Sequence, residues 1–147
     1  MECVNLKEEM DKAKRKIDLF GTDNFRSWLL YFVPGDGTDM HYHANPETFL
    51  VFSGNGIVKG LKGEERPIKK DDVLCLAAKD YYQIVNTGSE ELRYLAVSTK
   101  LSPDIAEYPT TGKFGVLAEF PVGADGKPRG FRFVGRESDS LNYWEGE

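Results

Sequence analysis

From Phe25 onward the apolar positions fall in short runs rich in β-branched and aromatic residues: Phe25 to Val33, Met40 to His43, Glu47 to Ser53, Gly56 to Leu61, Arg66 to Lys69, Val73 to Leu76, Tyr82 to Asn86 and Leu92 to Thr99. Turn-forming stretches separate them, including Pro34-Gly35-Asp36-Gly37, Ser53-Gly54-Asn55-Gly56, Lys70-Asp71-Asp72 and Asn86-Thr87-Gly88. Short strands at this spacing predict an all-β sandwich or barrel. The segment before them differs. Leu6, Met10, Ala13 and Ile17 recur at helical spacing with charges between them, which predicts a helix over Asn5 to Ile17 lying on the outside of the sheet, with Asn5 and Glu8 as a capping pair. Its basic stretch Lys12 to Lys16 reads as a solvated face. After Leu101 the pattern changes again: Pro103, Pro109, Pro121 and Pro128 interrupt runs such as Gly115 to Phe120 and Phe131 to Val134. Asp125-Gly126 is a turn signal that would join the last two runs as a hairpin. Tyr143 and Trp144, nearly terminal, are expected to dock on the domain or on a partner. The chain thus divides into a helical lead-in over 1–24, a barrel over 25–101 and an extension over 102–147 packed on the barrel or on a second subunit.

Composition narrows the function classes. Nineteen Lys and Arg against 24 Asp and Glu leave a net charge of −5. No basic block suggests a nucleic-acid or anionic-membrane footprint. The longest apolar run, Trp28 to Val33, is too short to span a bilayer, and the N-terminus lacks a basic-then-apolar signal pattern, so a cytoplasmic location is expected. Cys3 and Cys75 are too few for a disulfide framework and are expected as reduced thiols, with Cys75 a small core residue. No nucleophile elbow, phosphate loop or dinucleotide fingerprint is present.

The candidate chemistry is concentrated in one place. The chain has two histidines, and both lie in the run from Gly35 to Gly54 as His41-Tyr42-His43, with Glu47 four residues on. Side chains at i and i+2 of a strand share a face, so both imidazoles can reach one ion. Ala44-Asn45-Pro46 then breaks the strand, and Glu47 opens the next beside the two rings. Two imidazoles and a carboxylate suit Fe(II), Mn(II), Ni(II), Zn(II) or Cu(II), and with open positions they form the facial triad of non-haem iron oxygenases. If the histidines face inward, so do Glu47, Phe49, Val51 and Ser53, leaving Thr48, Leu50 and Phe52 outward. Both sets are largely apolar, so the outer face calls for a cover: a second sheet, a helix or tail, or a second subunit, which would make a homodimer.

The run Gly35-x5-His41-x-His43-x3-Glu47-x6-Gly54 resembles the first motif of the cupin superfamily at every specified position, and the likeness extends over about residues 25 to 99. The resemblance implies a jelly-roll barrel in which His41, His43 and Glu47 bind a divalent metal. A second cupin motif ordinarily supplies one more histidine. Here it aligns as Asp71-x5-Ala77-x-Lys79-x2-Tyr82-x3-Asn86, keeping the final Asn and placing Tyr82 where the histidine would stand. Three roles are open to Tyr82: a phenol that contacts substrate and serves as general acid, a metal ligand, or a core tyrosine. A register slip of one residue would bring Gln83 inside instead. Phe49, Val51 and Tyr31 are candidates for an apolar pocket wall. The implied function is a metal-dependent enzyme acting on a small organic acid, phenol or polyketide-like substrate, by dioxygenase, isomerase or cyclase, or lyase chemistry. The alternatives are a non-catalytic cupin that holds a small ligand or sugar without an essential metal, and a scaffold whose tail mediates assembly.

Overall fold

The computed structural model describes residues 2–10, 15–120, 129–142 and 144. Along the chain lie α1 (Leu6–Met10), β1 (Lys16–Gly21), β2 (Phe25–Phe32), β3 (Tyr42–His43), β4 (Glu47–Ser53), β5 (Asn55–Gly60), β6 (Glu65–Lys69), β7 (Val73–Leu76), β8 (Tyr82–Asn86), β9 (Leu92–Thr99), β10 (Asp104–Tyr108), β11 (Lys113–Phe120) and β12 (Arg129–Arg136). They form a five-stranded sheet in the order β1-β2-β9-β4-β7, a three-stranded sheet β6-β5-β8 and a four-stranded sheet β12-β11-β10-β3, with every pairing antiparallel.

Period-two alternation builds the core. Along β9, Leu92, Tyr94, Ala96 and Ser98 are buried while Arg93 and Val97 are not. Along β4 the buried positions are Glu47, Phe49 and Val51, and along β8 they are Tyr82, Ile84 and Asn86. These inner faces meet in one apolar cluster that joins the five-stranded sheet, through Phe32, Phe49 and Tyr94, to the three-stranded sheet, through Val58, Ile68 and Ile84. The barrel is therefore filled by side chains from two sheets packed face to face. Asn86, fully buried, donates from Nδ2 to the carbonyls of Phe32 (2.9 Å) and Glu90 (2.8 Å) and accepts from the Gly88 amide (2.9 Å). It thus pins β2 to the turn that leads into β9.

Three sequence expectations change. Of the helix expected over Asn5 to Ile17, Leu6–Met10 is helical, with the Lys7 and Glu8 amides donating to Asn5 Oδ1, and residues 11–14 lie outside the described residues. Ile17 instead lies in β1, paired with Leu29 at the edge of the five-stranded sheet. Lys16-Ile17-Asp18-Leu19 alternates, and an unpaired sheet edge rewards that period with a ladder of backbone hydrogen bonds. Cys75 is exposed rather than core, because β7 is an edge strand whose outer face meets solvent. Ser53 leaves the inward series at a bulge after Val51, and its hydroxyl donates to the Glu91 carbonyl at 3.2 Å. Trp144 is 69% exposed, while Tyr143 lies outside the described residues. The pairing of β11 with β12 forms a hairpin whose turn, with Asp125-Gly126, also lies outside them.

Candidate metal centre and ligand cavity

His41 and Tyr82 are cross-strand neighbours. The His41 amide donates to the Tyr82 carbonyl (3.0 Å) and the Tyr82 amide donates back (2.8 Å), forming an antiparallel bridge. Paired residues in such a bridge point the same way, so the two rings lie side by side with centroids 4.4 Å apart. This register turns Gln83 to the opposite side, where its amide donates to the Thr38 carbonyl at 2.8 Å. His43 follows at i+2, with its ring edge-on to His41 at 5.2 Å. Glu47, 2% exposed, accepts a 2.5 Å hydrogen bond from the Tyr82 hydroxyl on Oε2.

These four side chains line one cavity of about 560 Å³, with Trp28, Phe49 and Tyr94 on the barrel side. Val51 and Tyr31 do not line it. Val51 is buried further along β4, and Tyr31 projects from the other face of β2, its hydroxyl donating to Glu91 at 2.5 Å. The cavity follows the even-numbered residues of that strand, Arg26, Trp28 and Leu30.

The opposite wall comes from the C-terminal sheet. β10 pairs with the histidine strand, Ala106 opposite His43 and Glu107 opposite Tyr42, which brings Asp104, Ala106 and Tyr108 to the cavity. Tyr108 stacks on His41 at 5.2 Å with the planes 13° apart, and Lys113 Nζ sits 4.0 Å from the Tyr108 ring centre as a cation–π contact. Arg132 of β12 also faces in, whereas Phe133, paired with Val116 opposite Ile105, carries its ring on the other face beside Phe114 and Phe131. Sequence reasoning named none of Arg26, Asp104, Tyr108, Lys113 and Arg132 as site residues. The signal was the alternation of Asp104, Ala106 and Tyr108 along β10, which acquires meaning once β10 is known to pair with β3.

Electrostatics sort the groups. Burial lowers the His41 pKa to about 4, outweighing the support its Nδ1 receives at 2.7 Å from the Asp39 carbonyl. The ring is therefore neutral above that pH and, with Nδ1–H donated to the carbonyl, keeps Nε2 as its free lone pair. Burial raises Glu47 above the ordinary carboxylate range, against the opposing influence of His43, the Tyr82 hydrogen bond and Arg26. Burial and the Glu47 charge hold the Tyr82 phenol well above its usual value, so it stays protonated. Asp104 is pushed up by burial but drawn below its ordinary value by His43 and Arg26.

Among the described residues, five buried side-chain polar atoms lack a hydrogen-bond partner: Arg26 Nε, His43 Nδ1, Glu47 Oε1, Tyr94 Oη and Asp104 Oδ1. All five belong to residues that line this cavity. Buried polar atoms are almost always satisfied, so a cluster of unsatisfied ones in one cavity marks a place built for a polar or charged guest. The donor set suits a divalent ion in its chemistry: a neutral imidazole anchored through Nδ1, a second imidazole, and a buried carboxylate with a spare oxygen. Among the described residues, no three of His, Cys, Asp and Glu stand as a ready-made metal cluster, so these donors would have to converge on binding.

A barrel of antiparallel sheets with this motif at one end is a double-stranded β-helix. Residues 28–98 match the family model described as Cupin domain, and this segment of the chain is a cupin domain. Auxin-binding protein 1 of Arabidopsis thaliana is 30% identical over 90 residues, covering 56% of this chain and 46% of that protein, and Auxin-binding protein T85 of Nicotiana tabacum is 29% identical over 92 residues, covering 56% and 49%. The chain thus spans about half the length of the curated relatives it matches. Among solved structures, a sugar phosphate isomerase of the cupin superfamily from Silicibacter pomeroyi superposes with a TM-score of 0.66 at 22% identity, covering 88% of this chain and 82% of that one. The polyketide cyclase RemF from Streptomyces resistomycificus gives 0.52 at 17% identity, covering 57% and 61%. At these identities the likeness to the solved structures is one of fold.

Proposed function

We propose that the protein is a metal-dependent cupin enzyme that acts on a small organic anion, with His41, His43 and Glu47 as the metal donors and Tyr82 beside them as a proton donor. The cluster of unpartnered buried polar atoms in the 560 Å³ cavity carries this reading. A divalent ion bound by three protein donors would supply Lewis acidity and open coordination positions. The chain's own groups would do the rest. Arg132, Lys113 and Lys16 line the cavity and favour a carboxylate or phosphate on the substrate, in a protein whose overall charge is negative. Trp28, Phe49 and Tyr108 offer flat apolar walls to its carbon skeleton. The protonated Tyr82 hydroxyl, now donated to Glu47, is placed to donate to a substrate oxygen. The names of the similar proteins, auxin-binding, sugar phosphate isomerase and polyketide cyclase, all refer to small organic ligands, and isomerisation or cyclisation accordingly stands beside dioxygenase and lyase chemistry as the reaction type. The metal is iron, manganese, nickel or zinc. Among the described residues no helix is long and apolar enough to cross a membrane. We read the protein as cytoplasmic and as a homodimer that covers the exposed Phe131 and Phe133 of β12, which stack on one face.

Elemental analysis of untagged protein prepared without chelator tests the metal. The parent should carry about one equivalent of a transition metal, and His41→Ala should lose at least nine-tenths of it while keeping its circular dichroism. Equal, negligible metal in both, even after anaerobic reconstitution, would remove the metal from this reading.

The hydrogen bond from Tyr82 to Glu47 favours one second reading, a cavity that binds its organic ligand without metal, because the phenol occupies the fourth donor's place and already engages the carboxylate. Tyr82→His separates the two. In a metal-bearing barrel it adds a fourth nitrogen donor and should tighten zinc binding at least tenfold in chelator competition, an effect on the order of 1.4 kcal/mol. An unchanged affinity would favour the metal-free binder.

A further inference from the structure

We infer that Asp104, contributed by the C-terminal sheet, is the residue that positions the His43 imidazole, and that Arg26 fixes Asp104 for that task. The inference deepens the proposed metal site and rests on that reading for its consequence, although the positioning itself can be read without metal.

The two histidines are held differently. His41 is anchored by backbone: its Nδ1 lies 2.7 Å from the Asp39 carbonyl, two residues away, so local chain geometry sets its ring. His43 has no such local partner. It ends a two-residue strand, precedes the Ala44-Asn45-Pro46 turn, and its Nδ1 is buried without a hydrogen bond. The polar group facing that nitrogen is Asp104 Oδ2, 3.4 Å away, an approach that stops just short of a formed hydrogen bond. With Nδ1 turned to the carboxylate, Nε2 is the nitrogen left to the cavity, and a carboxylate behind a ligating imidazole fixes its tautomer and orientation.

Asp104 is itself held in place. Its side chain is 8% exposed, and Oδ2 accepts a hydrogen bond from Arg26 Nη2 across a sequence separation of 78 residues. The Arg26 guanidinium in turn lies 5.3 Å from the Trp28 ring centre, on the same face of β2. The chain of contacts therefore runs from Trp28 and Arg26 on the barrel, through Asp104 on β10, to His43 on β3. Asp104 Oδ1 and Arg26 Nε remain unpartnered at the cavity, so the pair is not a closed ion pair that satisfies only itself. The match to the cupin domain ends at residue 98, before Asp104. The C-terminal sheet is then a working part of the site, and the barrel segment alone leaves His43 without its orienting group.

The presence of two imidazoles in the whole chain makes the test direct. Protein labelled with 15N at histidine and stripped of metal is examined by long-range 1H–15N correlation, which reads the tautomer of each ring at fixed pH, and zinc affinity is measured by chelator competition. In the parent, His43 should show the Nδ1–H form. Asp104→Asn keeps an oxygen for Arg26 but removes the carboxylate charge behind His43, so the His43 signals should move toward the Nε2–H form while those of His41 stay in place. Zinc affinity should fall 10- to 100-fold. Arg26→Gln, which leaves the carboxylate but frees it, should give a smaller shift of the same kind, and it serves if Asp104→Asn does not fold. Unchanged His43 signals in both variants, or equal movement of both imidazoles alongside a general loss of structure, would overturn the assignment and leave Asp104 and Arg26 as a structural pair. If the tautomer moves but the parent binds no zinc, Asp104 still positions His43 and it is the metal reading that fails.

Discussion

Gly54→Ala should destabilise the fold by about 3 kcal/mol or more, the sum of a left-handed backbone cost and a backbone clash. Gly54 closes the histidine motif and sits at φ +74° in the turn between β4 and β5, where an L side chain costs on the order of 1 kcal/mol. An added Cβ would also lie 2.4 Å from the Glu91 carbonyl oxygen and 2.8 Å from Leu92 Cα. Those are backbone atoms at the start of β9, so relief requires parting the turn from the central strand of the five-stranded sheet. Two other glycines separate the contributions. Gly35 has φ +82° with nothing within 4 Å of its would-be Cβ, so Gly35→Ala isolates the backbone cost. Gly37 has no left-handed φ, but its Cβ would stand 2.2 Å from the Ile84 carbonyl, so Gly37→Ala isolates the clash. In urea unfolding, Gly54→Ala should lose most and Gly35→Ala least. For a chain of this size the Gly54→Ala melting midpoint should fall by roughly 6–12 °C. A Gly54→Ala protein as stable as Gly35→Ala would mean that the turn yields freely and that the motif glycine has no steric role.

What was legible in the sequence was what lies close along the chain. His41, His43 and Glu47 fall within seven residues, and the period of two places them together whatever the rest of the fold does. Tyr82 was also within reach, because its likeness to the worn second motif supplied the one long-range register that brings it beside His41. The parity of β2 is not readable: Leu29 and Tyr31 are as apolar as Trp28 and Leu30, so nothing local says which set meets the cavity, and Tyr31, expected at the pocket wall, lies on the other face. The helix expected over Asn5 to Ile17 gives way to a strand at its C-terminal end for a related reason. Ile17 and Leu19 fit a strand edge as well as Ile17 fits a helical stripe, and tertiary pairing with β2 decided between them. Cys75 is exposed against expectation because an apolar-flanked position reads as core until the strand is known to lie at a sheet edge. Arg26 and Asp104 were hidden most completely, since 78 residues separate them and neither sits in a local motif that points to the other.

Glu47→Gln should stabilise the metal-free protein at neutral pH and abolish its stabilisation by metal. Burial raises the Glu47 pKa above the ordinary value of 4.5, so the folded state holds its proton to higher pH than the unfolded chain does. Where the folded state binds more protons, stability falls as pH rises. The metal-free parent should therefore lose stability from about pH 4.5 upward through the raised Glu47 pKa, as an anion is created next to its unpartnered Oε1. The amide of Gln carries no such charge, and its oxygen can still accept the Tyr82 hydrogen bond, so the variant should lack this loss and its advantage over the parent should widen with pH. A cation reverses the order by neutralising the carboxylate. At a hundredfold excess over Kd, bound metal stabilises by about 2.7 kcal/mol, which in a chain of this size raises the melting midpoint by roughly 5–11 °C. Scanning calorimetry of chelator-treated parent and variant at pH 5 and pH 8, with and without added zinc, reads both effects. An equal rise with zinc in the two proteins would show that Glu47 is not a metal donor, and a metal-free variant no more stable than the parent at pH 8 would show that its carboxylate is not the strained group in the cavity. The expected pattern, a residue that weakens the empty fold and strengthens the loaded one, is the signature of a side chain kept for binding rather than for stability.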